Sequence, residues 1–535
     1  MKNGPKKKDY QTKIFLSIFL VIAIFITGWH YFRNFNLRNK VPSKDWSKEV
    51  MISSGDINTY NKIIKYKNGI LAAHDTNNKI KIVYIDLTGE KIREAVFNSE
   101  GYNVNNINIV LYKDYIHLCW STSKNGMSKM VNLKLDSNLK EVDKTFTDGV
   151  KEIKQNGDNT LFLLFENKIQ VIDYSNEKEG FIAVEAKADN PVLGASAKLG
   201  GKQMFAFMDK DGNYYYFNYD NKINKTISPE LLMAGRLDKS TTVSYYNSSL
   251  SIDDKNGYII VENKGKDEYL PPKLITFSLN GKEKPSITAL REEGVGTLSD
   301  IVSESSHDGI KIFATAPRQF KRKSKVDIIT FNIKDGKNSN WTLVSRTEHN
   351  PTFKSVFENY IVFTDFYKDN ELGVYLASSE PAFKNANNGI RNSEKSMAFQ
   401  DTMSDLLNSI TYTFVVGLQW ILPGIAIIGF ICFFNYAVKG PDKIKLFLLS
   451  YFASSLIKLY VIHKVSYVRY ASWLPNGLSS FTLGALICMT ISVLCCCFGI
   501  MRYKKNVDNM PMIDFASALL IDSLLTQLIF VPFMV

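Results

Sequence analysis

Cysteine is almost missing from the polar part of this sequence: of its 6 cysteines, only Cys119 lies outside the apolar segments. A lone cysteine closes no internal disulfide, so that part must fold on its own core. Residues 33–410 also lack any run of the roughly 20 mostly apolar residues that a bilayer-crossing helix needs. They read as one large water-exposed region, long enough to bury a core unaided. Catalytic motifs are missing too: there is no G-x-S-x-G and no H-E-x-x-H. Ser121 and Lys124 have the S-x-x-K spacing of penicillin-binding enzymes, but they fall in what reads as a hairpin turn, and no K-T-G follows. Gly294 and Gly296 start like a dinucleotide loop that lacks its third glycine and its helix. The net charge of +12 is modest for 535 residues and sits partly in the flanks of the apolar segments, so it argues for no nucleic-acid partner.

What the chain does have is five apolar segments, at residues 14–32, 411–438, 444–462, 478–500 and 512–535. The first has a basic leader, Lys6–Lys8, as a signal peptide does, but no small-residue cleavage site follows it. Trp29, Tyr31 and Phe32 follow instead and suit a membrane interface, so an uncleaved anchor is expected. Basic residues set the orientation. Lys2, Lys6, Lys7, Lys8 and Lys13, then Lys439, Lys443 and Lys445, then Arg502, Lys504 and Lys505 all fall on one side of a five-span arrangement, and that side is cytoplasmic. The expected organisation is a cytoplasmic tail (1–13), an anchor helix (14–32), a linker (33–48), an extracytoplasmic domain (49–385), a juxtamembrane linker with an amphipathic helix (386–410) and a four-helix membrane domain (411–535). Pro423-Gly424 is expected to bend the second span.

The middle region alternates apolar and polar residues in short runs separated by polar turns, as in residues 115–135, 161–173 and 360–377. A weak repeat runs through it. Apolar strands end in a polar turn at Asp86, Asp136, Asp173, Asp220, Asn280, Asp335 and Ser378, roughly 48 residues per step. Four-stranded propeller blades repeat every ~40–50 residues. The expected fold is therefore an all-β extracytoplasmic β-propeller of seven blades, with six and eight as neighbouring counts, plus an α-helical membrane domain, five transmembrane helices in total. A stack of β-sandwiches is the rival. The WD dipeptide is absent, so no subfamily follows. Ring closure would bring both chain ends together, as two tethers into one membrane face require.

Candidate sites are few. Asp209, Asp211 and Asp220 mimic a calcium loop, but its sixth position is Tyr214 where glycine is needed, so a hairpin turn is expected and no metal site follows. His74, His117, His307 and His349 read as blade-edge or loop residues. Arg318, Lys321, Arg322, Lys323 and Lys325 form the densest basic run outside the membrane, either a solvated loop or a surface for anionic head groups or cell-wall polymer. The run 396–410 carries an apolar stripe (Phe399, Met403, Leu406, Leu407, Ile410) that lies either on the membrane surface or under the propeller. Within the spans, Lys458, Asp514 and Asp522 are ionisable, and such residues face a partner or a water path. At ~1.5 Å per residue Lys458 lies about 21 Å along its span and Asp522 about 15 Å along its own, close enough for an ion pair. Cys495, Cys496 and Cys497 read as small packing residues.

No catalytic residue, cofactor or metal is expected, and the sequence reads as that of a protein that is not an enzyme. The leading expectation is an outward recognition platform anchored, and coupled, to a membrane helix module. Its partners would be the lipid bilayer and a protein or cell-surface ligand, with assembly as a homo-oligomer or membrane complex. The alternatives are a permease subunit working through Asp522, Asp514 and Lys458, and an outer-face propeller enzyme.

Overall fold

Alternating apolar residues and Asp- or Gly-bearing turns fold the middle of the chain into a ring of seven antiparallel sheets, six of four strands and one of five. The structure, a computed structural model, describes residues 5–57, 61–124, 127–174, 181–219, 228–238, 242–266, 268–281, 284–320, 323–347, 349–368, 371–434, 441–505 and 511–534. The fold is a seven-bladed β-propeller. The chain divides into two compact units, one of residues 41–389 and one made of residues 1–40 together with 390–535.

In blades 1 to 7 the strands nearest the axis are Lys62–Tyr66, Tyr102–Tyr112, Glu152–Asn156, Pro191–Leu199, Ser244–Ile252, Ser299–Ser306 and Thr352–Phe357. The weak sequence repeat marks the end of the third strand of each blade. Where an aspartate stands there its carboxylate shapes the turn. Asp86 Oδ1 accepts from the Thr88 and Glu90 N–H groups at 2.8 Å each. Asp136 Oδ1 accepts from Asn138 N at 2.8 Å and Lys140 N at 2.9 Å. Asp335 (φ 49°) and Gly336 (φ 72°) are both left-handed, the backbone a two-residue hairpin needs. Asp220 lies outside the described residues. The Asp209 segment is a hairpin turn too, with Asp211 N and Asn213 N both 2.9 Å from Asp209 Oδ1. Residues 121–124 belong to the strand Tyr115–Lys124 rather than to a turn, because its pairing with the strand Met127–Leu135 runs on to Lys124.

The apolar faces of neighbouring blades close on each other, and each seam has its own core. Phe162, Leu164 and Val171 of blade 3 meet Phe205, Phe207 and Phe217 of blade 4. Val110 and Cys119 of blade 2 meet Ile153 and Leu161 of blade 3. The seam between blades 6 and 7 takes in Trp46, 2% exposed, from ahead of the first strand. The first strand, Val50–Gly55, then pairs antiparallel with the last, Glu371–Ser378, as the outermost strand of blade 7. The ring is thus closed by strands from its two ends, and the outer edge of the strand Glu371–Ser378 is covered. A short helix, Pro381–Asn387, follows and buries Phe383.

The other unit is helical. Numbered in chain order, its helices are α1 (Pro5–Asn39), α2 (Asn392–Val415), α3 (Leu418–Phe434), α4 (Pro441–Ile462), α5 (Val468–Tyr470), α6 (Phe481–Lys505) and α7 (Pro511–Phe530). Four helical stretches are long and apolar enough to cross a membrane, or five if the bent pair α2–α3 counts as one span. Such helices fit a membrane-associated protein. The 40° bend of that pair lies at residues 416–417 and not at Pro423. Gly417 explains it: a Cβ there would sit 2.0 Å from Ser523 Oγ and 2.2 Å from Thr413 O, so only glycine admits this approach to α7. Pro423 removes one helical hydrogen bond, and α3 nonetheless continues to Phe434.

The apolar stripe of residues 396–410 lies on α2 and points outward, with Phe399 55% and Leu407 66% exposed. Its small and polar face is the buried one: Ala398, Thr402, Ser409 and Thr413. The apolar stripe is thus left on the outside of the bundle, and the small residues make the helix contacts. α1 is a member of the same bundle. Asn34 Nδ2 donates to Asp405 Oδ2 at 2.9 Å, Arg38 Nε to Asp401 Oδ2 at 2.7 Å, and the His30 ring meets the Leu528 carbonyl at 2.8 Å.

Candidate functional site

Every blade contributes its inner strand to one cavity of about 560 Å³ in the ring, within the usual size of ligand pockets. Its wall is polar because inner strands crowd their backbones around the axis, where small hydrogen-bonding side chains fit and also tie blade to blade. Gln155 Nε2 donates to Ile109 O at 2.6 Å, joining blades 3 and 2. Ser249 and Ser303 hydroxyls lie 2.7 Å apart, joining blades 5 and 6. Glu262, 1% exposed, accepts from Ile301 N at 2.7 Å, Asn247 Nδ2 at 2.6 Å, Tyr246 Oη at 2.9 Å and also from Asp300 N. Burial nevertheless pushes its pKa up, with Asp300 adding to that effect.

Four lysines reach the cavity: Lys62, Lys154, Lys198 and Lys354. Three have carboxylate partners, Lys154 with Glu152 at 3.1 Å, Lys198 with Asp158 at 3.3 Å and Lys354 with Asp300 at 3.0 Å. Lys62 makes no ion pair among the described residues. Desolvation, reinforced by Lys154, lowers its pKa to about 8. Burial raises Glu304, also in the wall, to about 7. None of these residues was singled out from sequence. The signal for them is positional only: Asn61, Asn108, Asn156, Ser196, Ser249, Ser303 and Ser355 recur once per blade on or beside the inner strand.

The ionisable residues of the spans fall into two groups. Lys458 on α4 donates from Nζ to Asp522 Oδ1 on α7 at 2.7 Å, and to Ser492 Oγ at 2.6 Å and Cys488 O at 2.8 Å on α6. All three ammonium hydrogens therefore have acceptors. Asp522 Oδ2 accepts from Ser492 Oγ at 2.9 Å and Tyr451 Oη at 3.3 Å. Lys458 is 0% and Asp522 1% exposed. Asp514 stands apart from this centre, with Arg502 Nε 3.1 Å from its Oδ1. Among the cysteines of α6, Cys495 and Cys496 are buried and Cys497 is exposed.

The basic run does not present five free charges. Arg318 Nε donates to the buried Asp327 at 2.7 Å, while burial pushes Asp327 up to about 6 against the pull of that guanidinium. Lys323 and Lys325 lie on the strand Lys323–Lys334, and Lys321 and Arg322 lie outside the described residues. The histidines are dispersed over the blades. His307 pairs with Asp254 at 2.9 Å on the surface, and His117 meets Asn132 Oδ1 at 3.0 Å. Among the described residues no group of three or more His, Cys, Asp or Glu is placed to hold a metal ion.

His74 is fully buried and its Nδ1 lies 2.9 Å from the Asp75 carbonyl. A carbonyl only accepts, so Nδ1 carries the proton. Desolvation lowers this histidine from 6.5 to about 4. The folded state thus holds it neutral while the unfolded chain protonates near 6.5, so its contribution is intact above that pH and is lost as pH falls toward 4. Denaturant unfolding at pH 7.5 and pH 5 should differ by on the order of 2 kcal/mol from this residue. A His74→Gln variant should flatten the profile by that amount, and an unchanged slope would show that His74 is not the cause.

No protein-family model and no curated protein matches the sequence. Solved structures similar to it include an acylaminoacyl peptidase in complex with Z-Gly-Gly-Phe-chloromethyl ketone, at 12% identity over 60% of this chain and 52% of that one, with a TM-score of 0.36. Another is a prolyl endopeptidase, at 11% over 61% and 49%, TM-score 0.37. A third is BBS1N in complex with ARL6DN, at 11% over 62% and 96%, TM-score 0.38. This chain spans about half the length of the two peptidases. The expectation that the protein is not an enzyme does not stand: peptidases are among the structures similar to it. At such identity and TM-score the likeness carries no activity to this chain.

Proposed function

We propose that this protein is a membrane-held recognition propeller. The ring stands on the extracytoplasmic side, its channel takes up a ligand or the tip of a partner protein, and the helical unit holds it in the bilayer and couples it to membrane partners or further copies. The observation that carries the reading is the polar channel, to which all seven blades contribute and whose wall includes a lysine without a carboxylate partner among the described residues. The outward placement rests on the basic residues that flank the apolar segments on one side.

Protease added to intact cells should remove the ring and leave the helical unit, whereas inside-out vesicles should protect the ring. Immunoblots with tags at residue 1 and in residues 41–389 would follow both. Protection in intact cells with digestion in inverted vesicles would reverse the orientation and end the outward reading.

A further inference from the structure

We propose that the propeller channel is a binding site for a hydroxyl-bearing anion, a sugar acid or sugar phosphate, with Lys62 receiving the anionic group. The inference rests on the recognition reading above and names its ligand class. The cavity holds about 560 Å³, far more than a simple inorganic anion fills, and within the range of small-ligand pockets. Its wall is made chiefly of amide, hydroxyl and charged side chains rather than the apolar lining of most small-molecule sites. A ligand that is mostly hydrocarbon would strip water from these groups and return nothing. A ligand dense in hydroxyls would replace that water bond for bond.

The amides have capacity left for it. Asn106 donates one N–H to Ser121 Oγ at 3.3 Å, Asn156 one to Gln203 Oε1 at 3.1 Å, and Asn247 one to Glu262 Oε1 at 2.6 Å. An amide side chain offers two N–H donors and two acceptor lone pairs, so among the described residues each has positions beyond these bonds, and the half-buried Asn106 and Asn247 present theirs more openly than the buried Asn156.

The wall carries Glu152, Asp300, Glu304 and Glu358 beside its four lysines. Glu358 pairs with Lys65 at 3.5 Å and burial pushes Glu304 up to about 7, so Lys62 is, among the described residues, the cation of the wall left to meet an anion. Lys154, Lys198 and Lys354 are each neutralised by a carboxylate of the protein. Lys62 is not, among the described residues, and another cation, Lys154, acts on it to disfavour its charge. The Lys154 ammonium, although 3.1 Å from Glu152, still repels that of Lys62, and an anion beside Lys62 relieves that repulsion. Burial and repulsion together hold the Lys62 ammonium at a lowered pKa of about 8, still mostly protonated at neutral pH. A carboxylate or phosphate on a polyhydroxylated body therefore meets both features of the wall at once.

The test uses the full chain in detergent micelles, with calorimetric titration of glucuronate, glucose 6-phosphate, glucose and inorganic phosphate. Glucuronate or glucose 6-phosphate should bind the wild-type protein more tightly than glucose or inorganic phosphate does. Lys62→Gln should weaken that binding about tenfold or more, the scale of a lost hydrogen bond to a charged group, while Lys62→Arg should retain most of it. Lys337→Gln, on an exposed outer strand, should bind as wild type does. Circular dichroism melting of Lys62→Gln checks that the ring still folds. If Lys62→Gln fails to fold, Lys62→Arg and competition by inorganic phosphate against glucose 6-phosphate decide the matter. Equal binding of glucose and glucuronate would overturn the anion assignment and leave a recognition propeller standing. No binding of either charged sugar at millimolar concentration, or undiminished binding by folded Lys62→Gln, would overturn the site itself. A reversed orientation in the protease experiment would instead remove the outward placement and leave these titrations unaffected.

Discussion

Replacing Asp522 by Asn should destabilise the helical unit by about 3–5 kcal/mol, because it leaves the Lys458 ammonium buried without its counter-charge. The wild-type centre is closed on itself. Lys458 donates to Asp522, Ser492 and Cys488 O within 2.8 Å, and both members of the ion pair are almost fully buried. The substituted amide would keep a carbonyl acceptor near Nζ but no charge, and water cannot make up the difference at 0% exposure of the lysine. The pair itself need not stabilise relative to hydrocarbon, since bringing both ions out of water is costly. The double variant Lys458→Met/Asp522→Leu should therefore recover most of the loss. Unfolding of the intact protein in mixed micelles, followed through a full double-mutant cycle, measures both quantities. A single variant within ~0.5 kcal/mol of wild type would show that the ion pair does not hold the bundle. A double variant as unstable as the single would assign the loss to packing instead.

The polar turns were readable because a chemical requirement repeats them. A carboxylate or Gly-bearing turn ends the third strand of several blades, so Asp86, Asp136 and Asp335 recur at nearly even steps. The last step ends at Ser378, where no fourth strand follows in the chain: its neighbour is the first strand, Val50–Gly55. The register of that join was not readable, since pairing across more than 300 residues leaves no local trace. The channel was hidden for the same reason. Each blade supplies only a few small polar residues to it, and Lys62 looks like any other lysine until Lys154, two blades away, stands near it. In the helical unit Pro423 lies within a continuous helix. The bend lies at Gly417, whose missing Cβ answers to Ser523 on another helix, a constraint that only the packed structure reveals. Likewise the stripe on α2 (Phe399, Leu407, Ile410) is where the periodicity puts it but faces outward, since hydropathy alone does not say whether the solvent is water or lipid.

Trp46→Ala should cost about 3–5 kcal/mol, the usual range for truncating a buried aromatic, and should loosen the ring at one place rather than everywhere. Trp46 is 2% exposed and packs edge-on against Phe313 of blade 6, with ring centroids 5.8 Å apart, and against Ile361 and Phe363 of blade 7. It also fixes where the chain enters the ring. Immediately after it, Ser47 N donates to Ser378 O at 2.9 Å, Ser378 N donates to Ser47 Oγ at 3.0 Å, and the strand Val50–Gly55 begins. Emptying the Trp46 pocket removes the anchor that holds this strand on blade 7. Hydrogen exchange should then speed up most in residues 50–55 and 371–378. Phe205→Ala is the matched control. Phe205 is fully buried between Phe162 and Phe217, at 5.2 and 5.3 Å, in the seam between blades 3 and 4. Its loss should cost a similar amount globally and leave the closing strands no more labile than the rest of the ring. Should both variants raise exchange evenly around all seven blades, Trp46 would be one more core residue, and closure would rest on the strand pairing alone.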